Sequence, residues 1–217
     1  MTYQCLLIDH DDTLLTTFAL RAQIMQHALE RVFAVQVDAA VLLRDSHGQS
    51  LEQMAAPFSR DDAESETFVH VYRELYYAEN TTGGLAPFPG VARTLERLHA
   101  AHIPMAVVTS KLGRGAEAEL EHCNLREYFV TVIGSEHVTH PKPHPEALQL
   151  ALEKLGCDAS GAVMVGDTSA DILGARAAGT DSGAALWGAI ETQGLREAKP
   201  TYLLNTPAAL LTVFGLD

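Results

Sequence analysis

Short apolar runs alternate with segments of helical periodicity along most of this chain. The runs with strand character span residues 5–8, 104–108, 130–133, 162–165, 184–187 and 202–204. Two parallel strands of one sheet need a crossover of about a dozen residues or more, which is usually a helix. Repeated alternation of this kind is typical of a parallel sheet whose two faces are covered by helices. The pattern therefore predicts an α/β fold built on a doubly wound parallel sheet.

One segment interrupts the alternation. Residues 15–83 have helical character and contain no convincing strand, and the GGLAPFPG stretch that follows them is rich in the residues that break regular structure. Helices are predicted at residues 18–33, 91–99, 115–121, 145–155, 170–178 and 207–213. We therefore predict a core of residues 1–14 and 84–217, with an all-helical cap of residues 15–83 inserted through a hinge.

Composition excludes several classes of protein. The chain has 217 residues, of which 47% are apolar, which is enough for one large domain or for a core with a small insert. Its net charge of −13 argues against nucleic acid or an anionic membrane as a partner. Cys5, Cys123 and Cys157 have neither metal-type nor disulfide-framework spacing, and Cys5 is expected to be buried in the first strand. No signal peptide or membrane span is indicated, so we expect a soluble cytoplasmic protein.

Acidic side chains follow two of the predicted strands. Asp9 and Asp11 come directly after the first strand, and side chains two residues apart in a strand point to the same side. Two carboxylates held that close need a cation, a shared proton, or both. Asp167 and Asp171 follow the strand at residues 162–165. Because ligands bind at the carboxyl ends of parallel strands, these acids predict a divalent-metal site.

Two further polar groups are expected at the same edge of the sheet. Thr109 and Ser110 follow the strand at residues 104–108, and Lys142 lies in the sequence HPKP ahead of a helix. A carboxylate nucleophile, a second carboxylate, a hydroxyl, an ammonium group and metal-binding acids together suit phosphoryl transfer, which depends on positioning and charge neutralisation. Mg²⁺ is the metal that prefers such oxygen ligands.

This set of motifs, in this order, resembles the haloacid dehalogenase superfamily, in its phosphatase branch with a helical cap inserted after the first strand. The resemblance covers essentially the whole chain. The PFPG stretch of residues 87–90 and the VVTSK stretch of residues 107–111 are similar to the phosphoglycolate phosphatase-like subgroup. That subgroup acts on phosphoglycolate, pyrophosphate and sugar phosphates, and no single residue here chooses among these substrates.

The resemblance implies a role for each residue at the site. Asp9 would be the nucleophile that forms an aspartyl-phosphate. Asp11 would protonate the leaving oxygen and later activate the hydrolytic water. Thr109 and the backbone amide of Ser110 would hold phosphoryl oxygens, and Lys142 would bridge Asp9 and the phosphate.

The resemblance also implies a Mg²⁺ site. Its ligands would be Asp9, the backbone carbonyl of Asp11, and Asp167. Asp171 would lie in the outer shell of the metal or anchor Lys142. Asp12 stands where the family usually has glycine; because aspartate tolerates left-handed backbone conformations, we expect the turn to form.

Other activities of the superfamily can be compared. Phosphonoacetaldehyde hydrolysis needs a residue other than aspartate at position 11 and a lysine in the cap, and residues 15–83 contain no lysine. Dehalogenases also lack the second acid. A β-phosphoglucomutase-like sugar phosphomutase stays open as an alternative, as does a non-catalytic binding protein. The expected partner is a small phosphorylated metabolite, and the expected state is a monomer or homodimer.

The histidines near Lys142 raise the question of a zinc site. The spacing of His137, His140 and His144 across two prolines matches no helix-borne metal pair. We therefore expect them to be loop or surface residues.

In the cap, a polar loop between helical stretches offers candidates for substrate specificity. Arg44, His47 and Gln49 are the residues that could read the leaving group. The helical spacing of Tyr72, Tyr76 and Tyr77 instead predicts that they belong to the apolar core of the cap.

Overall fold

The computed structural model describes residues 3–46, 50–80 and 84–216. The chain divides into two compact units. The first, the core unit, comprises Met1–Thr16 and Ala86–Asp217, and the second, the helical unit, comprises Thr17–Leu85. These limits lie two residues from the predicted ends of the cap.

The core unit contains a parallel sheet of six strands. They are β1 (Cys5–Ile8), β2 (Met105–Val108), β3 (Thr131–Ile133), β4 (Ala162–Gly166), β5 (Asp181–Ala185) and β6 (Tyr202–Leu204). Their order is β3-β2-β1-β4-β5-β6, and every neighbouring pair is parallel. The α/β prediction is confirmed. Because the strand order reverses between β1 and β4, the ends of these two strands form the crevice in which such sheets bind ligands.

Strand register brings the carboxyl ends of the central strands to one level. Ile8 of β1 pairs with Val107 on one side and with Val165 on the other. All residues of β1, β2 and β4 are buried, as expected for strands covered on both faces. Cys5 is fully buried, as predicted.

The predicted strand at residues 184–187 is wrong in position. β5 begins three residues earlier, at Asp181, and ends at Ala185. Its middle is formed by small residues because the neighbouring strands leave little room: a Cβ added to Gly183 would lie 3.1 Å from Val165 and 2.8 Å from Leu204. An apolar run is a poor guide to such a strand.

The helices in the described part of the chain are α1 (Phe18–Phe33), α2 (Ala39–Asp45), α3 (Leu51–Ala55), α4 (Asp62–Asn80), α5 (Val91–Ala100), α6 (Gly113–His122), α7 (Glu146–Leu155), α8 (Ser169–Ala178), α9 (Gln193–Glu197) and α10 (Ala209–Val213). Several ends follow from local chemistry. The Asp38 carboxylate accepts hydrogen bonds from the first turn of α2, and Gly156 and Gly179 end α7 and α8 in the left-handed conformation. Among the described residues, no helix has the length and apolar character needed to cross a membrane.

The helical unit has an aromatic core between α1 and α4. The ring of Phe33 stacks on that of Phe68 with centroids 5.6 Å apart, and Tyr72 and Tyr76 are buried along the same face of α4. Tyr77 is 39% exposed, so its predicted burial is wrong. Adjacent helical residues are about 100° apart around the axis, which turns Tyr77 away from the face that carries Tyr72 and Tyr76.

Candidate active site

Lys142 lies at the centre of a buried charge cluster at the end of β1. Its Nζ donates hydrogen bonds to Asp9 Oδ1 at 2.7 Å, to Asp171 Oδ1 at 2.6 Å and to the carbonyl oxygen of Val108 at 2.9 Å. These acceptors use all three ammonium protons. Burial alone would lower the pKa of Lys142, but the charges of Asp171 and Asp9 outweigh it and raise this pKa above its usual value. Lys142 is therefore positively charged in the site.

Asp9 and Asp167 resist ionisation because the pKa of each is raised. Burial raises the pKa of Asp9 to about 6, the charge of Lys142 opposes that rise, and Asp171 adds to it. Burial, with repulsion from Asp9 and Asp171, also raises the pKa of Asp167 well above its usual value. One ammonium group thus does not balance the negative charge of these acids.

The same imbalance provides a test of whether the residues fit a metal ion. Oxygen atoms of Asp9, Asp167 and Asp171 all lie within 4.8 Å of one another. Three ionised carboxylates and one ammonium leave a net charge of about −2, which a divalent cation would neutralise. An all-oxygen donor set of this kind suits Mg²⁺. The residues present therefore fit the metal that the sequence suggested.

Asp171 connects the cluster to the start of α8. Its Oδ2 accepts hydrogen bonds from the Thr168 hydroxyl at 2.7 Å and from the Thr168 backbone amide at 3.1 Å. Thr168 is the N-cap of α8, and the two residues form a capping box. Both oxygens of Asp171 are thus engaged, one by Lys142 and one by Thr168, so the helix end holds Lys142 in place.

Asp167 is held by a residue from the turn after β1. The hydroxyl of Thr13 donates to Asp167 Oδ1 at 2.8 Å, and both residues are buried. The indole of Trp187 in turn donates to the Thr13 carbonyl at 2.9 Å. Neither Thr13 nor Trp187 was predicted from the sequence to have a role at the site. Thr13 directly follows the acidic motif, whereas nothing in the sequence connects Trp187 to it.

The turn after β1 forms with aspartate in the glycine position. Asp12 has a φ of 53°, in the left-handed region, and its amide donates to the Leu15 carbonyl at 2.9 Å. The expectation that aspartate would permit this turn is confirmed. Asp11 precedes it with its side chain 19% exposed, and Asp11 Oδ1 lies 3.1 Å from Lys111 Nζ.

Thr109 follows β2, the strand next to β1. Its amide donates to the Ile133 carbonyl, and its buried hydroxyl accepts from the Lys111 amide at 3.1 Å. Ser110 is exposed beside it. The sheet therefore brings Thr109 and Asp9 to the ends of adjacent strands, at the edge where both were expected from the sequence.

Lys111 and Glu119 form a second charge pair that the sequence analysis missed. Glu119 lies in α6 and is only 3% exposed. A signal was available, because Glu119 occupies the same helical face as the buried residues Ala116 and Leu120. An acid within an apolar face of a helix indicates a buried partner.

The three histidines near Lys142 are all exposed, as expected. His137 Nδ1 accepts from the Gly134 amide at 2.9 Å, apart from the other two. His140 and His144 face each other with ring centroids 4.6 Å apart, and both lie beside Glu146.

In the helical unit, Arg44 has its guanidinium carbon 5.4 Å from the centroid of the Phe18 ring. This geometry is that of a cation–π contact. His47 and Gln49, the other two specificity candidates, lie outside the described residues.

Comparison with known proteins agrees with this geometry. A family model described as haloacid dehalogenase-like hydrolase matches residues 6–185. A pyrophosphatase from Bacillus pumilus is 31% identical over 220 residues, covering 100% of this chain and 98% of that protein. A phosphoglycolate phosphatase from Escherichia coli is 32% identical over 176 residues, covering 80% of this chain and 70% of that protein.

A solved structure shares the fold over nearly the full length of the chain. A haloacid dehalogenase-like family hydrolase from Streptococcus pneumoniae superposes with a TM-score of 0.84 at 26% identity, covering 98% of each chain. The four residues of the buried cluster, Asp9, Lys142, Asp167 and Asp171, all lie within the matched residues, which run from the second residue of β1 to the end of β5. By sequence, by fold and by the residues at the ends of its strands, this chain belongs to the haloacid dehalogenase-like hydrolase family.

Proposed function

We propose that this protein is a Mg²⁺-dependent phosphatase that hydrolyses a small phosphorylated metabolite through an aspartyl-phosphate intermediate. The observation that carries the proposal is the buried contact of Lys142 with Asp9 and Asp171, next to Asp167. A lysine fixed against the nucleophile keeps it ionised and neutralises an incoming phosphoryl group.

In the first step, a carboxylate oxygen of Asp9 forms a bond to phosphorus as the bond to the leaving oxygen breaks. Asp11 gives its proton to that oxygen, so the product leaves as an alcohol or as a protonated phosphate. Thr109 and the Ser110 amide hold the phosphoryl oxygens during the transfer. Lys142 lies 2.7 Å from Asp9 Oδ1 and balances the negative charge.

In the second step, Asp11 is ionised and removes a proton from water. The water oxygen bonds to phosphorus, the bond to Asp9 breaks, and inorganic phosphate is released. Asp9, the Asp11 carbonyl and Asp167 would hold Mg²⁺, which when bound neutralises charge on the carboxylates and the phosphoryl group. Asp171 supports Lys142 rather than the metal directly.

The names of two relatives support a substrate class. One is named a pyrophosphatase and another a phosphoglycolate phosphatase, so we propose a small, strongly anionic phosphate compound of this kind. The helical unit would act as a cap that excludes bulk water during transfer. The net charge of −13 suits neither nucleic acid nor an anionic membrane as a partner, and three free thiols suit a reducing cytoplasm.

A phosphate-release screen tests the proposal. Phosphoglycolate, pyrophosphate, sugar phosphates and nucleotides would each be assayed with Mg²⁺ and with EDTA. We expect release with Mg²⁺ only, and its loss in Asp9→Asn while circular dichroism shows that this variant is still folded. Asp158→Asn, which alters an exposed acid of the core unit, is the matched control. Phosphate release by Asp9→Asn at the wild-type rate would rule out the nucleophile assignment.

A further inference from the structure

Lys111 and Glu119 form a partly buried ion pair beside Asp11 that the chemistry above does not use. Lys111 Nζ donates to both carboxylate oxygens of Glu119, at 2.8 and 2.7 Å. The same ammonium lies 3.1 Å from Asp11 Oδ1. Lys111 thus connects a buried acid of α6 to the second aspartate of the motif after β1.

This ion pair fixes the position of the ammonium group. A lysine side chain is flexible in solution, with four methylene groups between its charge and the backbone. Here both oxygens of Glu119 hold the charge, in a site where the Glu119 side chain is 3% exposed. Separating the pair would leave the buried Glu119 carboxylate without a compensating charge, so the contact persists. The fixed ammonium is therefore a rigid point against which Asp11 can be oriented.

His10 is a second neighbour of both Asp11 and Glu119. Its imidazole is fully buried, with Nε2 3.4 Å from Glu119 Oε2 and Nδ1 3.6 Å from Asp11 Oδ1. Lys111 and His10 both span the carboxylates of Glu119 and Asp11. The Asp11 side chain is thus restricted by a charge and by a ring.

We propose that Lys111, held by Glu119, is a positioning residue that orients the Asp11 carboxyl group for proton transfer; this inference rests on the proposed function. A general acid acts only when it lies within hydrogen-bond reach of the oxygen that receives the proton. An ammonium at 3.1 Å from one carboxylate oxygen limits the conformations that the side chain samples. Loss of this orientation should therefore slow only those reactions in which the leaving oxygen needs a proton.

Leaving-group dependence provides the test. The double variant Lys111→Met/Glu119→Gln removes both charges and keeps the side chains similar in size. It would be assayed with the alkyl phosphate that the wild type hydrolyses fastest, and with p-nitrophenyl phosphate, whose leaving group needs no proton. The matched control is Arg126→Met/Glu117→Gln, which removes another ion pair of α6, with a 3.0 Å contact.

For the alkyl phosphate, we expect kcat of the Lys111/Glu119 variant to fall roughly 10- to 100-fold, part of the effect that general acid catalysis provides, with KM within about threefold of the wild type. The rate of the initial p-nitrophenolate burst, which precedes water attack, should stay within about threefold of the wild type. The control variant should match the wild type with both substrates. An equal loss on both substrates, or no loss on either, would overturn the positioning role.

Asp11→Asn, measured in parallel, separates this inference from the proposed function. If Asp11→Asn lowers kcat for the alkyl phosphate but leaves the rate of the p-nitrophenolate burst unchanged, the acid role of Asp11 stands. The result for the Lys111/Glu119 variant then decides the positioning role by itself. If Asp11→Asn lowers the rate equally with both substrates, the acid role of Asp11 fails and the positioning role fails with it. If the wild type releases phosphate neither from these two substrates nor from pyrophosphate, the proposed function itself fails.

Discussion

The contact between Gly166 and Asp171 makes the stability of this protein sensitive to a single methyl group. Gly166 is the last residue of β4, and a Cβ added there would lie 2.5 Å from Asp171 Cβ and closer still to its carboxylate. Non-bonded carbons sit about 3.5–4.0 Å apart, so one side must move by about 1 Å or more. Asp171 is fully buried and held by Lys142 and Thr168, which leaves it no free direction.

The cost of Gly166→Ala can be worked out from these contacts. Overpacking costs about 1–3 kcal/mol. A displaced Asp171 also loses at least one hydrogen bond to a charged group, which contributes about 1.5–3 kcal/mol. We therefore expect Gly166→Ala to lower the free energy of unfolding by about 2.5–6 kcal/mol. For a chain of this size that corresponds to a fall in Tm of roughly 5–24 °C. Activity should fall too, because Lys142 loses its anchor.

Gly174→Ala is the matched control, eight residues further along in α8. A Cβ there would lie 3.6 Å from the Pro143 carbonyl oxygen and 3.7 Å from Leu148, which are ordinary contacts. Alanine is favoured over glycine inside a helix by about 0.5–1 kcal/mol, so this variant should be slightly more stable than the wild type. Thermal and urea unfolding of both variants would measure the difference. A Gly166→Ala protein that melts within about 2 °C of the wild type would refute the reasoning.

Three further predictions concern the acids after β1 and β4. Thr13→Val removes the buried hydrogen bond to Asp167, so we expect the free energy of unfolding to fall by about 1.5–3 kcal/mol. Mg²⁺ binding, measured by calorimetry, should weaken as well, and unchanged binding would contradict this role of Thr13. Asp12 has a φ of 53°, so Asp12→Gly should be more stable than Asp12→Ala by about 1 kcal/mol in urea unfolding; equal stabilities would contradict the strain argument. Burial raises the pKa of Asp9 from 3.8 to about 6, so the stability that its proton provides is present below pH 3.8 and lost as pH rises through about 6. In urea unfolding of EDTA-treated protein, the gain in free energy of unfolding from Asp9→Asn should therefore be about 1 kcal/mol larger at pH 7.5 than at pH 5. The same gain at both pH values would refute the raised pKa of Asp9.

The secondary structure could be predicted where the signal is local. β1 and α1 have the bounds that the apolar run and the helical periodicity indicated, because a buried strand and an amphipathic helix each carry their pattern in consecutive residues. β5 was misplaced because its residues are small rather than apolar. Tyr77 was misassigned because the spacing of three tyrosines does not say which of them faces α1.

The sequence by itself determined that acids would follow two strands of a parallel sheet, since alternation and strand-end chemistry are local properties. That these two strands are neighbours was decided by the strand order of the folded sheet. The tertiary structure decided which groups hold those acids. Lys142 contacts Asp9 across 133 residues of chain, and Trp187 contacts the Thr13 carbonyl across 174. The Lys111–Glu119 pair likewise needs the loop after β2 to meet one face of α6. Such contacts depend on strand register and helix packing, which sequence spacing alone does not specify.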